Sequence, residues 1–382
     1  MYLAELRTRC FRNLVDTDLS FPPEGIALVG ANAQGKSNLL EAIYYLEILR
    51  SFRGAADREL VRFGEEVFRV SGRVRTGRDD EPFEGDRIER TVAAAWQRTG
   101  SRKKVTLDDQ EPGRLADGVG HVGAVLFTPS DLALVNEGPS ERRRFLNILL
   151  SLNEEGYLAA LQRYRQVLSQ RNAALREGRD PALARAWDPL LVREGARILA
   201  CRGRWIESFA SEFTRIHGLI SGGGEAAMTF EPSLGEIPAP PWEESRVAEA
   251  YAAALEASRD REERQRTTVV GPHRDELALS LAGSDGDMEA RSYGSGGQRR
   301  SLALTLRLLE AETIRRRKDR EPLLLMDDVF AELDEDRSDR LMAFLDRTAV
   351  GQVILTAPRK GEVRMRRGEL EVWGIEEGKV RR

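Results

Sequence analysis

A short glycine-containing stretch, GANAQGKS at residues 30–37, fits the phosphate-binding pattern G-x-x-x-x-G-K-[ST]. The apolar run IALVG precedes it and NLLEAIYYLEIL follows with apolar residues at helical spacing, so the stretch joins a buried strand to a helix. Backbone N–H groups at such a junction bind phosphate oxygens, helped by the helix dipole. We expect Lys36 to reach the β- and γ-phosphates and the Ser37 hydroxyl to ligate Mg²⁺. The expected nucleotide-binding positions are Gly30, Ala31, Asn32, Ala33, Gln34, Gly35, Lys36 and Ser37.

Two adjacent carboxylates end a second buried strand, LLLMDDVF at residues 323–330. A carboxylate at the end of a strand beside a phosphate-binding loop is the usual protein partner of Mg²⁺, so Asp327 takes that role. Asp328 is then placed to orient or deprotonate the attacking water. Burying two adjacent acids without a metal or a polarised water would be costly. The pattern therefore predicts nucleotide hydrolysis, with Lys36, Asp327 and Asp328 as the catalytic residues.

A second glycine-rich stretch, SYGSGGQRRSLALTLRLLEAE at residues 292–312, opens a helix that begins near Gln298. Two glycines, a serine hydroxyl and the first N–H groups of the helix can form another anion site. By itself the motif does not distinguish an anion site from a glycine-rich turn with a helix cap.

The composition is that of a soluble globular protein, with 41% hydrophobic and 32% charged residues. The net charge of −4 argues against a protein that coats nucleic acid over its whole surface, but it leaves room for a local basic groove. Cys10 and Cys201 stand far apart without a CxxC motif, which excludes a disulfide framework and a cysteine zinc site. We find neither a transmembrane run nor a signal-peptide layout and expect a cytoplasmic protein without a membrane partner. The histidines are too scattered for a metal cluster: His121, His217 and His273.

Alternating and apolar runs predict the elements that position these motifs. We expect strands at YLAELRTRCF and LVDTDLSF, joined by a turn at Arg12-Asn13, and at FRVSGRVR, RIERTVAAAW, KKVTLDDQEP, VGAVLFTP (122–129), ELALSLAG (276–283) and QVILTAP (352–358). Residues 51–66 are predicted to be a basic loop, and residues 140–266 are mainly helical with a Pro-rich connector at 231–242. We predict an ATPase domain formed by residues 1–128 with 267–382, and an inserted, mainly helical lobe formed by residues 129–266.

The order of the motifs resembles an ABC-type ATPase head: phosphate loop, GSGGQ, apolar strand with two acids, ELD at 332–334, and a last strand ending in a polar residue. The resemblance implies an α/β P-loop NTPase fold with a mixed sheet, here carrying an inserted helical lobe, and ATP as the nucleotide. In such heads the glycine-rich signature meets the nucleotide held by a second copy, so ATP is expected to close a head-to-tail homodimer. The residues expected to act across the dimer are Ser295, Gly296, Gly297 and Gln298, with Asp334 nearby.

Further segments are similar to the RecF family of bacterial recombination proteins, which resemble the Rad50 and SMC heads in outline. They are FRN (11–13), GKSNLLEAIYYL (35–46), SFR (51–53), LFTPSDLALVNEGPSERRRFLN (126–147), QRN (170–172), GPHRDEL (271–277) and the block from Tyr293 to Asp334. The resemblance runs nearly end to end. It implies ATP-dependent DNA binding, a weak DNA-stimulated ATPase, and work with RecO and RecR in loading RecA at single-strand gaps during repair and replication, in support of the SOS response. It also implies that Arg12 and Asn13 belong to the nucleotide site.

Some positions depart from the common pattern of these heads. Ala33 stands where a glycine is frequent, and because alanine tolerates a positive φ poorly, we expect a stiffer or differently shaped loop. Arg299 replaces the usual second glutamine of the signature. Position 328 is Asp, as the RecF resemblance expects, and the last strand ends at Thr356 without a histidine switch. None of these changes removes a phosphate or Mg²⁺ contact.

A DNA surface would need Lys or Arg side chains on one face. No ladder of aromatic residues marks a single-strand reader, so we expect backbone contacts with duplex or gapped DNA without sequence readout. The candidates are Arg53, Arg58, Arg62, Arg142, Arg143, Arg144 and Arg171.

Two alternatives stay open. An ABC ATPase that energises a membrane transporter would have a shorter separation between phosphate loop and signature than this chain shows. The other is a nucleotide-gated scaffold with negligible hydrolysis, against which the pair Asp327-Asp328 argues because it indicates retained hydrolysis.

Overall fold

The structure is a computed structural model, and it describes residues 1–76, 89–178, 181–235, 240–283, 286–347, 351–362 and 370–382. Within these ranges the strands are β1 Tyr2–Arg9, β2 Thr17–Ser20, β3 Gly25–Val29, β4 Val67–Arg75, β5 Glu89–Gln97, β6 Arg102–Leu107, β7 Ala124–Phe127, β8 Ala226–Glu231, β9 Glu276–Gly283, β10 Gly286–Glu289, β11 Leu323–Met326, β12 Val353–Ala357, β13 Glu371–Glu376 and β14 Lys379–Arg381. The helices are α1 Lys36–Ile48, α2 Asp57–Leu60, α3 Ala133–Asn136, α4 Pro139–Asn153, α5 Tyr157–Glu177, α6 Pro181–Arg185, α7 Asp188–Ser221, α8 Glu244–Ala257, α9 Arg259–Gln265, α10 Ala290–Tyr293, α11 Gly296–Lys318 and α12 Glu335–Arg347.

The chain packs into two compact units. Unit 1 comprises Met1–Asp131 with Leu306–Arg382, and unit 2 comprises Leu132–Thr305. Each unit has its own sheets and helices.

A mixed six-stranded sheet in the order β14-β13-β3-β12-β11-β7 forms the base of unit 1. Its strands run parallel except for β14, which pairs antiparallel with β13. The strands β7, β11 and β12 are buried at every position, as expected for parallel strands covered on both faces. Because apolar residues fill these strands, the polar residues stand at their carboxyl ends, where loops leave the sheet.

A second sheet of unit 1 is antiparallel, in the order β2-β1-β4-β5-β6. Its strands alternate buried and exposed positions, so one face packs inward and the other faces solvent. The inward face brings Leu6, Phe68 and Trp96 into the same core as Leu39 and Leu46 of α1. Helix α1 is apolar nearly all round and contacts strands of both sheets, which holds its N-terminus and the loop before it in place.

Unit 2 is mainly helical. Helix α7 is its longest helix, with 34 residues, and it packs against α5 and α8 in an apolar seam that includes Trp205 and Phe213. A three-stranded sheet in the order β10-β9-β8 accompanies the helices. Strand β8 lies within the segment for which we predicted mainly helix; it forms because Met228 is buried against Leu279 of β9, its pairing partner.

The packing division differs from the predicted domain limits of 128/129 and 266/267. Residues 267–305 group with the inserted helices, because β9 pairs with β8 and because buried charges join the segments. Arg202 of α7 donates to Asp275 at 2.8 Å, and both side chains are almost completely buried. Separating these residues would leave unpaired buried charges, which is strongly unfavourable.

Most predicted strands are present, with differences at their ends. The segment LVDTDLSF contains the shorter strand β2, the basic loop 51–66 contains the short helix α2, and the signature helix begins at Gly296. Residues 87–88 of the predicted strand RIERTVAAAW and residues 236–239 of the Pro-rich connector lie outside the described residues.

Candidate functional site

The loop 30–37 leaves β3 and enters α1, whose first residue is Lys36. Gly35 has φ 110°, and Ala33 has φ 65°, so the loop makes a left-handed turn at both positions. We expected Ala33 to make the loop stiffer or differently shaped; in the structure Ala33 itself adopts the left-handed conformation that favours glycine.

Several backbone donors of the loop are available to a ligand. Gly30 N–H donates to Ala357 of β12, and Gln34 N–H donates to Ala31. The N–H groups with no hydrogen bond to another described residue are those of Ala31, Asn32, Ala33, Gly35, Lys36 and Ser37. Such a run of unpaired donors at a helix N-terminus can bind phosphate oxygens.

The Lys36 ammonium folds back over the loop. It donates to the carbonyl oxygens of Gly30 at 2.8 Å and Ala31 at 3.3 Å, and it lies 3.9 Å from Asp328. Only 4% of its side chain is exposed. A buried ammonium held by loop carbonyls can move onto phosphate oxygens without leaving the loop, since a phosphate offers stronger, charge-assisted hydrogen bonds.

The acid pair meets the loop through hydroxyl groups. The Ser37 hydroxyl donates to Asp327 Oδ1 at 2.7 Å, and the Thr356 hydroxyl lies 3.1 Å from both Asp327 Oδ1 and Asp328 Oδ1. Asp328 N–H donates to Thr356 Oγ1 at 2.9 Å. Strand β12 lies between β3 and β11, so Asp327 does not follow a strand directly beside the loop; Thr356, near the end of β12, contacts both acids.

The donor set around Asp327 fits Mg²⁺. Burial raises the pKa of the Asp327 carboxyl, the hydrogen bond from Ser37 opposes the rise, and the charge of Asp328 adds to it. A hydroxyl and a carboxylate oxygen are the hard donors that Mg²⁺ takes together with phosphates and water. Within the described residues no group of three His, Cys, Asp or Glu could hold a metal ion.

Arg12 and Asn13, which the family resemblance assigns to the nucleotide site, make different contacts. Asn13 accepts from Asn38 at 2.7 Å beside the loop, whereas the Arg12 guanidinium is bound to Glu41 at 2.9 Å. Gln34 points its side-chain oxygen to the N–H of Glu377 at 2.6 Å, in the turn between β13 and β14. Gln34 therefore holds the loop against that turn through its side chain, whereas the Arg12 side chain is bound to α1.

A depression of about 1000 Å³ in unit 1 joins the phosphate loop to an exposed rim. Three of the arginines predicted to contact DNA line this depression: Arg53, Arg58 and Arg62. Phe63 also lines it with a fully exposed ring. Phe63 could not be predicted from the sequence, because a lone aromatic residue in a polar loop carries no pattern that could identify it.

Two other arginines predicted to contact DNA are buried in ion pairs. Arg142 is 5% exposed and forms a two-point ion pair with Glu276, and Arg171 is 3% exposed and is bound to Asp188, Glu262 and Thr268. Their charges are satisfied inside unit 2, so the prediction that they contact DNA is wrong for this structure. Of their neighbours, Arg143 is half-buried and donates to the Asp275 carbonyl, and Arg144 is exposed 3.7 Å from Glu141.

The signature stretch lies in unit 2 at the start of α11. Ser295 N–H donates to the Gln298 side chain at 2.8 Å, and Gln298 N–H donates to the Ser295 hydroxyl at 3.2 Å, which forms a reciprocal cap. Arg299, which stands in place of a glutamine, donates to Gly294 and Asn136 and holds the turn. Ser295, Gly296 and Gln298 are exposed and can accept a ligand from outside.

Asp334 lies in unit 1, where it caps α12. Its carboxylate accepts from the Arg337 N–H at 2.8 Å, and this hydrogen bond lowers the pKa of Asp334. The side chain is about half exposed.

Comparison with known proteins identifies the family. A family model described as the RecF/RecN/SMC N terminal domain matches residues 2–378. The DNA replication and repair protein RecF of Salinibacter ruber is 36% identical over 368 residues, which cover 94% of this chain and 86% of that protein. The chain belongs to the RecF family. RecF proteins of a Synechococcus species and of Streptococcus pneumoniae are 38% and 33% identical, and the alignments cover 94% and 100% of this RecF-family chain and 92% and 99% of those proteins.

Solved structures agree with this assignment. The recombination mediator protein RecF with ATP in the RecFOR pathway has a TM-score of 0.86 and 31% identity over 99% of this chain and 96% of that chain. An Smc head bound to the C-winged helix domain of ScpA has a TM-score of 0.55 at 16% identity, covers 100% of this chain and 96% of that chain, and shares the fold. The fold is therefore an ABC-type ATPase head with an inserted helical lobe, as predicted. The relatives are DNA replication and repair proteins, so the comparisons do not favour the transporter alternative.

Among the described residues, no helix combines the length and the apolar character that crossing a membrane requires.

Proposed function

We propose that this chain is an ATP-dependent DNA-binding protein of recombinational repair and replication, whose homodimer closes on DNA when ATP binds and opens after hydrolysis. The observation that carries the proposal is the hydrogen bond between Ser37 and Asp327 beside a loop of unpaired N–H donors. It joins a phosphate-binding loop to an acid pair in one compact unit. The names and the ATP complexes of the RecF relatives support the same activity.

Within the site, the free N–H groups of the loop bind the phosphates and Lys36 moves from Gly30 onto the β- and γ-phosphates. Ser37 and Asp327 hold Mg²⁺, which neutralises charge on the phosphates when it is bound. Asp328, held by Thr356, orients the attacking water and accepts its proton. From the resemblance to the RecF family, we expect the ATPase to be weak on its own and DNA to stimulate it when the dimer closes.

We keep the proposed ATPase domain of residues 1–128 with 267–382, with the helical lobe 129–266 inserted into it, as a division by function; in the packing, residues 267–305 group with the inserted helices. Ser295, Gly296, Gly297 and Gln298 act on the nucleotide of a second copy, and Asp334 lies near that contact. The proposed cellular setting is the cytoplasm, with RecO and RecR as partners in loading RecA at gaps and in supporting the SOS response. The RecFOR pathway named for the solved RecF structure supports these partners.

DNA-binding anisotropy at one moderate salt concentration tests the proposal. Duplex, single-stranded and gapped DNA are each titrated with no nucleotide, with ADP, and with ATP and Mg²⁺. We expect tight binding only with ATP, on duplex or gapped DNA. Equal binding in all nucleotide states, or none on any substrate, would contradict the clamp.

Mixing two inactive variants tests the action across the dimer. Lys36→Ala removes the phosphate contact of one copy, and Ser295→Arg blocks the signature of the other. A mixed dimer contains one intact composite site, so ATP hydrolysis should reappear on mixing. If each copy instead used its own signature, the mixture would remain inactive.

A further inference from the structure

The solvent face of the antiparallel sheet in unit 1 carries a row of cations. In the pairing register Arg9 of β1 lies opposite Arg69 of β4, Arg69 lies opposite Ala95 of β5, and Ala95 lies opposite Lys104 of β6. Directly paired residues of antiparallel strands point to the same face, and neighbouring strands are about 4.8 Å apart. The row therefore sets two adjacent arginines and a lysine across four strands, with one alanine between them.

The small side chains of β5 turn this row into a channel. Ala93 and Ala95 form its floor, and a depression of about 620 Å³ opens over them. Arg69 stands on the β4 side, and Arg102 and Lys104 stand on the β6 side. The cations that line the depression are Arg7, Arg9, Arg69, Arg102 and Lys104, and none of the described residues lining it bears a carboxylate.

Part of this positive charge is not neutralised. Arg9 pairs with Asp18 at 2.8 Å and Lys104 with Glu111 at 2.5 Å, but these are exposed pairs of the kind that contribute little. Arg69 and Arg102 are exposed, and in the part of the chain that the structure describes neither forms an ion pair. The channel is a concentrated positive site on a chain whose net charge is −4.

We propose that this channel binds the sugar-phosphate backbone of a nucleic acid strand; the inference rests on the proposed function and gives it a DNA surface. Cations on both walls match a linear chain of negative charges, because each phosphate passing along β5 lies within reach of either wall. No described residue that lines the depression has an aromatic ring on which a base could stack, and its cations match phosphates, so we expect binding without sequence readout. A lipid surface fits less well, because a flat membrane cannot follow charges that line a depression.

The test uses the full chain with ATP and Mg²⁺, and labelled duplex DNA at several salt concentrations. Arg69→Ala/Arg102→Ala removes the two unpaired cations, and Arg246→Ala/Arg261→Ala removes the same charge from exposed positions in unit 2. We expect the Arg69→Ala/Arg102→Ala variant to bind DNA about tenfold more weakly. The slope of the logarithm of its DNA association constant against the logarithm of the salt concentration should be smaller in magnitude by about two. The second pair should bind DNA like the parent chain, and both should bind ATP normally.

A second variant, Ala95→Glu, introduces a negative charge into the floor without removing a cation. It should weaken DNA binding and leave ATP binding unchanged. If Arg69→Ala/Arg102→Ala binds DNA with the parent affinity and salt slope, the channel proposal is wrong while the ATP-dependent clamp stands. If the parent chain itself does not bind DNA with ATP, the proposed function fails first. Loss of binding to vesicles containing phosphatidylserine, with DNA binding unchanged, would overturn the assignment in favour of a lipid surface.

Discussion

Ser37 and Asp327 lie 290 positions apart in the chain, and the hydroxyl of the first donates to the carboxylate of the second at 2.7 Å. Thr356, at the end of the strand between them, lies 3.1 Å from the same carboxylate oxygen. These hydrogen bonds hold the phosphate loop and the acid pair in direct contact.

Lys36→Ala should weaken ATP binding by at least about tenfold, because it removes a charge-assisted contact to the phosphates. Titration with a fluorescent ATP analogue measures the loss. Lys104→Ala is the matched control, since Lys104 is exposed on the outer face of the antiparallel sheet. Comparable affinity in the Lys36 variant and the control would show that Lys36 is not a phosphate ligand.

Asp328→Asn should retain ATP binding and lower turnover about 100-fold, the usual contribution of a general base. The ATP-bound dimer should then accumulate, which size-exclusion chromatography with light scattering detects. Asp336→Asn, at a side chain that is 83% exposed, provides the control. Normal turnover in Asp328→Asn would remove the role assigned to this carboxylate and favour a different water ligand. Negligible turnover in the parent chain itself would instead favour the nucleotide-gated scaffold.

Phe63→Ala should weaken binding of ATP about tenfold and leave binding of inorganic triphosphate unchanged. The reason is that a fully exposed ring in the same depression as the phosphate loop can stack on the adenine base, which is worth about 1–3 kcal/mol in base–aromatic contacts. Calorimetric titration with both ligands separates the base from the phosphates. Leu115→Ala, another exposed apolar residue, controls for loss of surface area. Equal losses for ATP and triphosphate would point to a disturbed loop instead of lost stacking.

Ala33→Gly should stabilise the nucleotide-free chain by up to about 1 kcal/mol, because glycine accepts the φ of 65° without the steric cost that alanine bears. Chemical denaturation without nucleotide measures the change. Ala31→Gly, in the same loop but without a positive φ, should destabilise the chain slightly through the greater freedom of the unfolded state. If both substitutions shift stability in the same direction, Ala33 is not strained.

His217 predicts a pH effect on stability. Burial lowers its pKa from 6.5 to about 4, so the folded chain holds it neutral while the unfolded chain protonates it. Its contribution to stability is present above pH 6.5 and is lost as the pH falls towards 4. Between pH 7 and pH 5, the free energy of unfolding of the parent chain relative to His217→Phe should fall by about 2 kcal/mol. Denaturation curves at both pH values test this, and a difference that does not change with pH would contradict the buried neutral histidine.

The phosphate loop, the acid pair and the strands and helices that carry them can be predicted from the sequence alone. Each of these is a local pattern: a loop between a buried strand and a helix, or a buried strand that runs into two carboxylates. Local backbone preference and the requirement to bury apolar residues are enough to specify such segments. The resemblance of the remaining motifs then indicated the RecF family, which the comparisons show.

Which charged side chains are available to a ligand depends instead on long-range packing. In the run Arg142-Arg143-Arg144, successive residues of a helix point in different directions, and Arg142 alone faces inward to Glu276. The cations of the channel, by contrast, come from strands far apart in the chain and meet through the pairing of β1, β4, β5 and β6. Likewise Thr356 meets both acids because β12 lies between β3 and β11. Burial and pairing depend on long-range contacts, and a linear pattern of residue types does not contain them.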